Sequence, residues 1–452
     1  MDKTGRGFNF YSMAGTNTTH QAYKQSNQIK SNIKRLARPT PVILLLLFTL
    51  CFSFSRAEAQ TGGGSYEIIP APDLWYNDVD GIRVGVRFKG QVPGTFEDGP
   101  HRLDAGIWLG LWIPDLPVSY YLSYTNPISR WSDFGSEASY QAISSVRTGY
   151  TVQGIGFNKR WQQGFDERRY RELRLFNSYE KRFDSEYTAF PMLWSDQDKL
   201  LTTLTAQLRD DNALGWYNLA ISGGVQYNND SYGFATVTAV QRVPFNESWG
   251  LRFRGFLGLA SASTANEYLF SRSTGQAVNT IQNGVTRAKG TIPQPWMESG
   301  NFQFAGGANL RGYTSADVES FVFEPCVDCN ANDFSLNQPV LFRSIAAINT
   351  EFDYPNPVKN LFDRVPYVSE FLTFRSYLFF DAGTPLGLGE ESTDLFADAG
   401  AGFSLSLNIP DYLGKERGFV FRYDIPFWLS EPGTEDAFKY RSLFAFGAVI
   451  SF

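Results

Sequence analysis

This chain of 452 residues has two histidines, three cysteines and, beyond residue 60, no apolar run of the length a membrane helix needs. A spanning helix takes about 20 apolar residues, so any bilayer crossing by that region is made with strands. His20 lies in an N-terminal leader and His101 in an expected loop. The chain has no HExxH motif and no G-x-S-x-G elbow, and a Ser-His-Asp triad would have to use His101. It therefore does not read as an exported hydrolase, and no enzyme activity, cofactor or metal is expected. Asp133-Phe134-Gly135 matches a kinase tripeptide without any companion motif. Charged residues make up only 19% of the chain, while aromatics reach 16% and glycine numbers 41. With a mean hydropathy of -0.26, that balance suits a transmembrane barrel, where lipid-facing apolar residues alternate with polar lumen residues.

Residues 1–59 read as a leader with a signal peptide. Lys30, Lys34, Arg35 and Arg38 precede the apolar run Val42–Leu50, and Ala57-Glu58-Ala59 supplies small residues for cleavage before Gln60. The leader is long, so Met13 or a later residue is an alternative start. Cys51 follows a bulky Leu50 and makes a poor lipoprotein site. The leader holds eight basic and two acidic residues. The remainder therefore carries 32 basic and 44 acidic residues, a net of −12. Nucleic acid is not an expected partner, because phosphate contacts need a basic face.

From about residue 80 onward, apolar residues recur at every second position. Leu103, Ala105, Ile107, Leu109 and Leu111 make one such run; Tyr217, Leu219, Ile221, Val225 and Tyr227 another; Leu251, Phe253, Leu257 and Leu259 a third; Ala401, Phe403, Leu405, Leu407 and Ile409 a fourth. Each spans roughly ten residues, enough for a tilted strand to cross the hydrocarbon core. A soluble β-sandwich also alternates. Here the apolar faces end in aromatics (Trp108, Trp112, Tyr217, Tyr227 and Trp249) as an interfacial girdle requires. The expected fold is therefore all-β: a transmembrane antiparallel β-barrel over residues 80–452, preceded by a short periplasmic segment at 60–79. Placing Phe452 at the periplasmic end and reading back gives strands near 442–452, 417–427, 397–409, 372–383 and 338–352. Five crossings put 307–337 outside the cell. About nine to eleven strands fit between residues 80 and 306, for 16 in total, with 14 as the alternative. Asn228-Asn229-Asp230 reads as a hairpin turn, and 353–371, with Pro355, Pro357 and Pro366, as a long link where a short turn is expected.

Leu310-Arg311-Gly312-Tyr313 follows a glycine-rich stretch, and Phe379, Asp381 and Gly383 come about 70 residues later. The chain then passes Phe421-Arg422-Tyr423-Asp424-Ile425-Pro426 and ends on a strand with Phe444, Phe446, Ile450 and Phe452 on one face. In this order the segments resemble the BamA/TamA/FhaC superfamily, the bacterial surface antigen family, over roughly residues 300–452. The resemblance implies a 16-stranded outer-membrane barrel whose extracellular loop folds into the lumen. The Leu310–Tyr313 tip would dock through Arg311 onto the Phe379, Asp381, Gly383 strand motif. The terminal aromatics would be the assembly signal. Members of the family insert proteins into the outer membrane or translocate them across it, so the implied partners are the lipid bilayer and unfolded outer-membrane clients or an exported partner protein. The family's mechanism opens a seam between first and last strands; the first strand is expected near Gly81–Gly85, weakened by its two glycines. Only about twenty residues separate Gln60 from that strand, fewer than the ~50 of a small domain, so the barrel is expected to lack POTRA domains. A passive anchor for a separate exported enzyme and a small-solute pore are the alternatives.

Cys326 and Cys329 share the loop with Arg311. In an oxidising compartment a local disulfide that braces the loop is the expectation. A metal site would need two more ligands, and a redox role a thioredoxin-like context.

Overall fold

The computed structural model describes residues 67–448 except 92–101, 114–117, 163–165, 167, 189, 247, 283–285, 315–317, 324–333, 357–371, 389–392, 411–415 and 434–435. These residues belong to one compact unit, Gly62–Phe452. The leader, His101, Cys326, Cys329, Ile450 and Phe452 lie outside the described residues.

The strands are β1 (Glu67–Asn77), β2 (Gly81–Gln91), β3 (Arg102–Gly110), β4 (Val118–Pro127), β5 (Ser136–Arg147), β6 (Tyr150–Gln162), β7 (Tyr170–Arg182), β8 (Lys199–Asn212) and β9 (Gly215–Gln226). They continue with β10 (Tyr232–Pro244), β11 (Gly250–Ala260), β12 (Val318–Phe323), β13 (Phe334–Pro339), β14 (Ser344–Tyr354), β15 (Leu372–Pro385), β16 (Phe396–Pro410), β17 (Glu416–Leu429) and β18 (Leu443–Ala448). Sixteen of them form one antiparallel meander in the order β1 to β11, then β14 to β18; β12 and β13 pair only with each other. The five C-terminal strands fall where backward reading from Phe452 expects them. Upstream, strand territory ends at Ala260, and the described residues of 261–306 add no strand to the sheet. The 228–230 turn forms with Asn229 in the left-handed region (φ 57).

The sheet is dressed inside out relative to a soluble protein. On β15, Leu378 and Phe380 are 50% and 45% exposed, whereas Tyr377, Phe379 and Asp381 between them are buried. Ile107, Ile155, Leu204, Ile221 and Ile348 repeat the pattern on other strands. Apolar outward and polar inward is the arrangement a lipid-facing barrel requires. The sheet also curls. Tyr150 on β6 and Phe444 and Phe446 on β18, ten places apart in sheet order, share one apolar cluster with Ile292, Met297 and Phe302 of the β11–β14 connection. That connection fills the interior. Residues 264–314, including the short helices α1 (Ala277–Thr280) and α2 (Gln294–Glu298), pack against strands from both halves of the sheet. Among the described residues no ladder joins β1 to β18.

Three expectations need correction. The segment 60–79 is not merely a periplasmic lead-in, because Glu67–Asn77 forms β1 and pairs with β2 along its whole length. Pro70 and Pro72 disguise it. The unbroken ladder to β2 places their missing N–H groups on the outer edge, where proline is tolerated. Gly81 and Gly85 therefore lie on the second strand, and they make room rather than weaken an edge: a Cβ on Gly85 would come within 2.2 Å of the Trp108 ring. Finally, Trp108 is no girdle residue. It points inward, 6% exposed, with its indole N–H donated to Asp73 (2.5 Å) and Arg83 over its ring. Trp112, Tyr227 and Trp249 are exposed as expected.

Candidate functional site

Asn309 turns the chain in the left-handed region (φ 60), Leu310 is extended, and Arg311–Tyr313 makes a single 3-10 turn whose three residues are all buried. Strand alternation prepares the wall that receives it. On β14 and β15 the register sets Glu351 opposite Phe379 and Asn349 opposite Asp381, with all four side chains inward. Arg311 meets this wall with its whole guanidinium. Nε donates to Asp381 Oδ2 (2.7 Å) and Nη2 to Asp381 Oδ1 (2.8 Å), a bidentate pair, while Nη1 donates to Glu351 Oε1 (2.9 Å). Its cationic carbon sits 3.9 Å from the Phe379 ring centroid, and Asp424 Oδ1 lies 3.7 Å from Nη1. Arg311 and Asp381 are 3% and 0% exposed. Burial by itself pushes the Arg311 pKa down. The carboxylates of Asp381, Asp424 and Glu351 overcome that and hold it well above its ordinary value.

The surrounding contacts fix the loop's approach. Arg254 of β11 donates to Gly307 O (2.7 Å) and to Asn349 Oδ1 (2.8 Å); Asn349 in turn donates to the carbonyls of Ala308 and Asn309. Leu310 and Tyr313 pack with Leu429 of β17. The Tyr313 hydroxyl donates to Ala397 O (3.2 Å) and accepts from Glu431 N. Arg375 joins Glu351 to Asp353, Arg422 pairs with Asp424 (2.7 Å), and the Tyr377 hydroxyl donates to Asp424 (2.7 Å). Charge-assisted bonds of this kind are directional and strong where water is excluded. The chemistry is that of a latch, holding a loop against five neighbouring strands, β11 and β14 to β17.

Gly312 works through close approach rather than a left-handed turn. A Cβ there would fall 2.2 Å from a methyl of Leu429 and 2.8 Å from Cβ of Asp398. Gly312→Ala is therefore expected to destabilise the barrel by about 1–3 kcal/mol through overpacking, read as a lower urea midpoint by heat-modifiable gel mobility; an unchanged midpoint would contradict the packing.

Of the residues singled out from sequence, Leu310, Arg311, Gly312, Tyr313, Phe379 and Asp381 come together. Gly383 does not touch the guanidinium; it lies against Ala346 and Ala347 on the neighbouring strand. Phe444 and Phe446 lie apart from the latch, against Trp296 and Phe302. Sequence reasoning missed Glu351, Asn349, Arg254 and Asp398. A single polar residue on an alternating strand carries no signal until the register is known.

A second buried ion pair ties down the start of the same connection. Lys199, the first residue of β8, reaches Glu267 at 2.7 Å with 2% and 1% exposure. Ser195 supplies a carbonyl to Lys199 and an N–H to Glu267. Beside it the Glu180 carboxylate accepts from the hydroxyls of Tyr150 and Tyr268. The segment 264–314 is thus latched at both ends.

No family model matches this chain, and no curated protein does. Among solved structures, BamA from Haemophilus ducreyi lacking POTRA domains 1–3 matches at 13% identity, over 85% of this chain and 70% of that one, with a TM-score of 0.41. CdiB from Acinetobacter baumannii matches at 11% identity over 84% of this chain and 59% of its own, with a TM-score of 0.35. OccK11 (OpdR) from Pseudomonas aeruginosa matches at 9% identity over 84% and 92%, with a TM-score of 0.27.

Proposed function

We propose that this chain is an outer-membrane barrel that handles other polypeptides, inserting them into the bilayer or passing them across it. The observation that carries the reading is the pairing of a latched lumen with a seam that no strand ladder closes among the described residues. Arg311 clamps the interior segment to β14 and β15, while β1 and β18 share no ladder among the described residues. An unpaired strand edge is a template for another chain's strand. On β1 the missing N–H groups of Pro70 and Pro72 deplete the donors along that edge, which keeps it from sealing. A solute pore fits less well, because Phe302, Leu310, Arg311 and Tyr313 fill the interior with buried side chains. A passive anchor would need no seam.

The test is reconstitution of the membrane-purified protein into liposomes, with a urea-unfolded small barrel protein added as client. Client folding is followed by heat-modifiable gel mobility. Acceleration over protein-free liposomes is expected. Equal rates with a correctly folded barrel would leave the anchor or the pore.

A further inference from the structure

The sheet order leaves two outer edges, and that of β18 is occupied from inside. Phe444 N donates to Asn301 O (2.7 Å) and Gln303 N donates to Phe444 O (2.8 Å), making a parallel bridge between Phe302 and Phe444. Trp296 stacks on Phe444 (5.4 Å, 17°) and Phe302 on Phe446 (5.5 Å, 22°). Gln303 is fully buried; its amide donates to Ser273 O (2.5 Å), and its carbonyl accepts from Arg422. A dozen residues earlier the same segment reaches the other side of the seam. Asp78 N, just past β1, donates to Lys289 O (3.1 Å), and the Trp75 indole donates to Thr291 Oγ1 (3.3 Å). Residues 289–303 therefore hold both margins.

This contact differs from every other on the sheet. All fifteen sheet ladders are antiparallel, and even the short β17–β18 ladder runs through six residue pairs. The bridge to Phe302 is parallel and one residue pair long. A strand laid antiparallel along β18 would replace two backbone hydrogen bonds with a full ladder, and its side chains would follow the same two-residue period. Phe444 and Phe446 sit on one face of β18, so the strand that suits it carries aromatic or β-branched residues at alternate positions.

We propose that Trp296 and Asn301–Gln303 form an internal place-holder on the strand-pairing edge of β18. The partner it excludes is an extended segment of another polypeptide with apolar residues at every second position. This rests on the polypeptide-handling reading above, and it specifies which edge receives the client and what must leave first.

A reversible lock tests it. In a background carrying Cys51→Ser, Cys326→Ser and Cys329→Ser, Phe302→Cys and Phe444→Cys place two thiols across the bridge. The full protein is reconstituted in liposomes, and the probe is a fluorescent peptide with the sequence of residues 442–452. Mild oxidation is expected to join the two cysteines, and the oxidised protein is expected to bind the peptide at least tenfold more weakly than the same sample after reduction. In cysteine-unmodified protein, Trp296→Ala is expected to bind it several-fold more tightly than the wild type, with folding verified by heat-modifiable mobility. Failure of the disulfide to form, equal binding before and after reduction, or unchanged affinity in folded Trp296→Ala would each overturn the place-holder. The outcome is separable from the client-folding assay. Loss of acceleration there with redox-gated peptide binding here removes only the insertion reading, and the converse removes only the place-holder.

Discussion

Arg311→Ala is expected to lower the stability of the folded barrel by about 3–5 kcal/mol, the range for removing one partner of a buried ion pair. The magnitude follows from what is left behind. Asp381 is 0% exposed, and its two oxygens receive two of the guanidinium's hydrogen bonds. Glu351 loses a third bond and keeps its bond from Arg375. Arg311→Lys should recover only part of the loss, because a point-like ammonium cannot span both Asp381 oxygens and Glu351 together. Freed from the wall, the segment should also leave the lumen more often. Single-channel recordings in planar bilayers should then show higher and noisier conductance than the wild type. An unchanged urea midpoint together with wild-type conductance would mean that the latch holds nothing.

The second large effect is expected at Lys199 and Glu267. Glu267→Ala removes the contacting carboxylate from an ammonium 2% exposed and leaves it hydrogen-bonded to the Ser195 carbonyl. A loss of about 3–5 kcal/mol should follow. The double replacement Lys199→Met with Glu267→Leu removes both charges at similar volume, so it should return most of that stability. Urea midpoints for the two single variants and the double variant decide the matter. A double variant as unstable as Glu267→Ala alone would show that shape rather than charge governs the site.

How much of this was legible depended on whether a residue's role is set by local pattern or by register. β15 and β17 could be read because Phe379, Phe380, Phe421 and Tyr423 make strands whose period shows without a partner. β1 could not. Two prolines in Glu67–Asn77 argue against a strand unless the edge position is already known. Arg311 and Asp381 stood out as members of an ordered pair of motifs, whereas Glu351 becomes visible only when register places it beside Phe379. The greatest gap was the interior. The loop was expected at 307–337, but the segment that fills the barrel begins near residue 264. Its contacts come from Tyr268, Met297 and Phe302, scattered apolar residues with no period to betray them. Trp108 was misassigned because an aromatic near a strand end looks the same whether it faces lipid or lumen.

The two latches also bear on the order in which the molecule can be made. Lys199 finds Glu267 while much of the chain is still to come, but Arg311 has no carboxylate until β14 and β15 have been synthesised and paired. Gln303 waits longer still, for Arg422 and for Phe444 near the end of the chain. Contacts of such sequence separation form late, because loop closure precedes any return from them. A chain cut before Asp381 would therefore keep the Lys199–Glu267 pair but leave Arg311 without its bidentate partner, so it should be unstable around the Arg311 latch as well as at the missing strands.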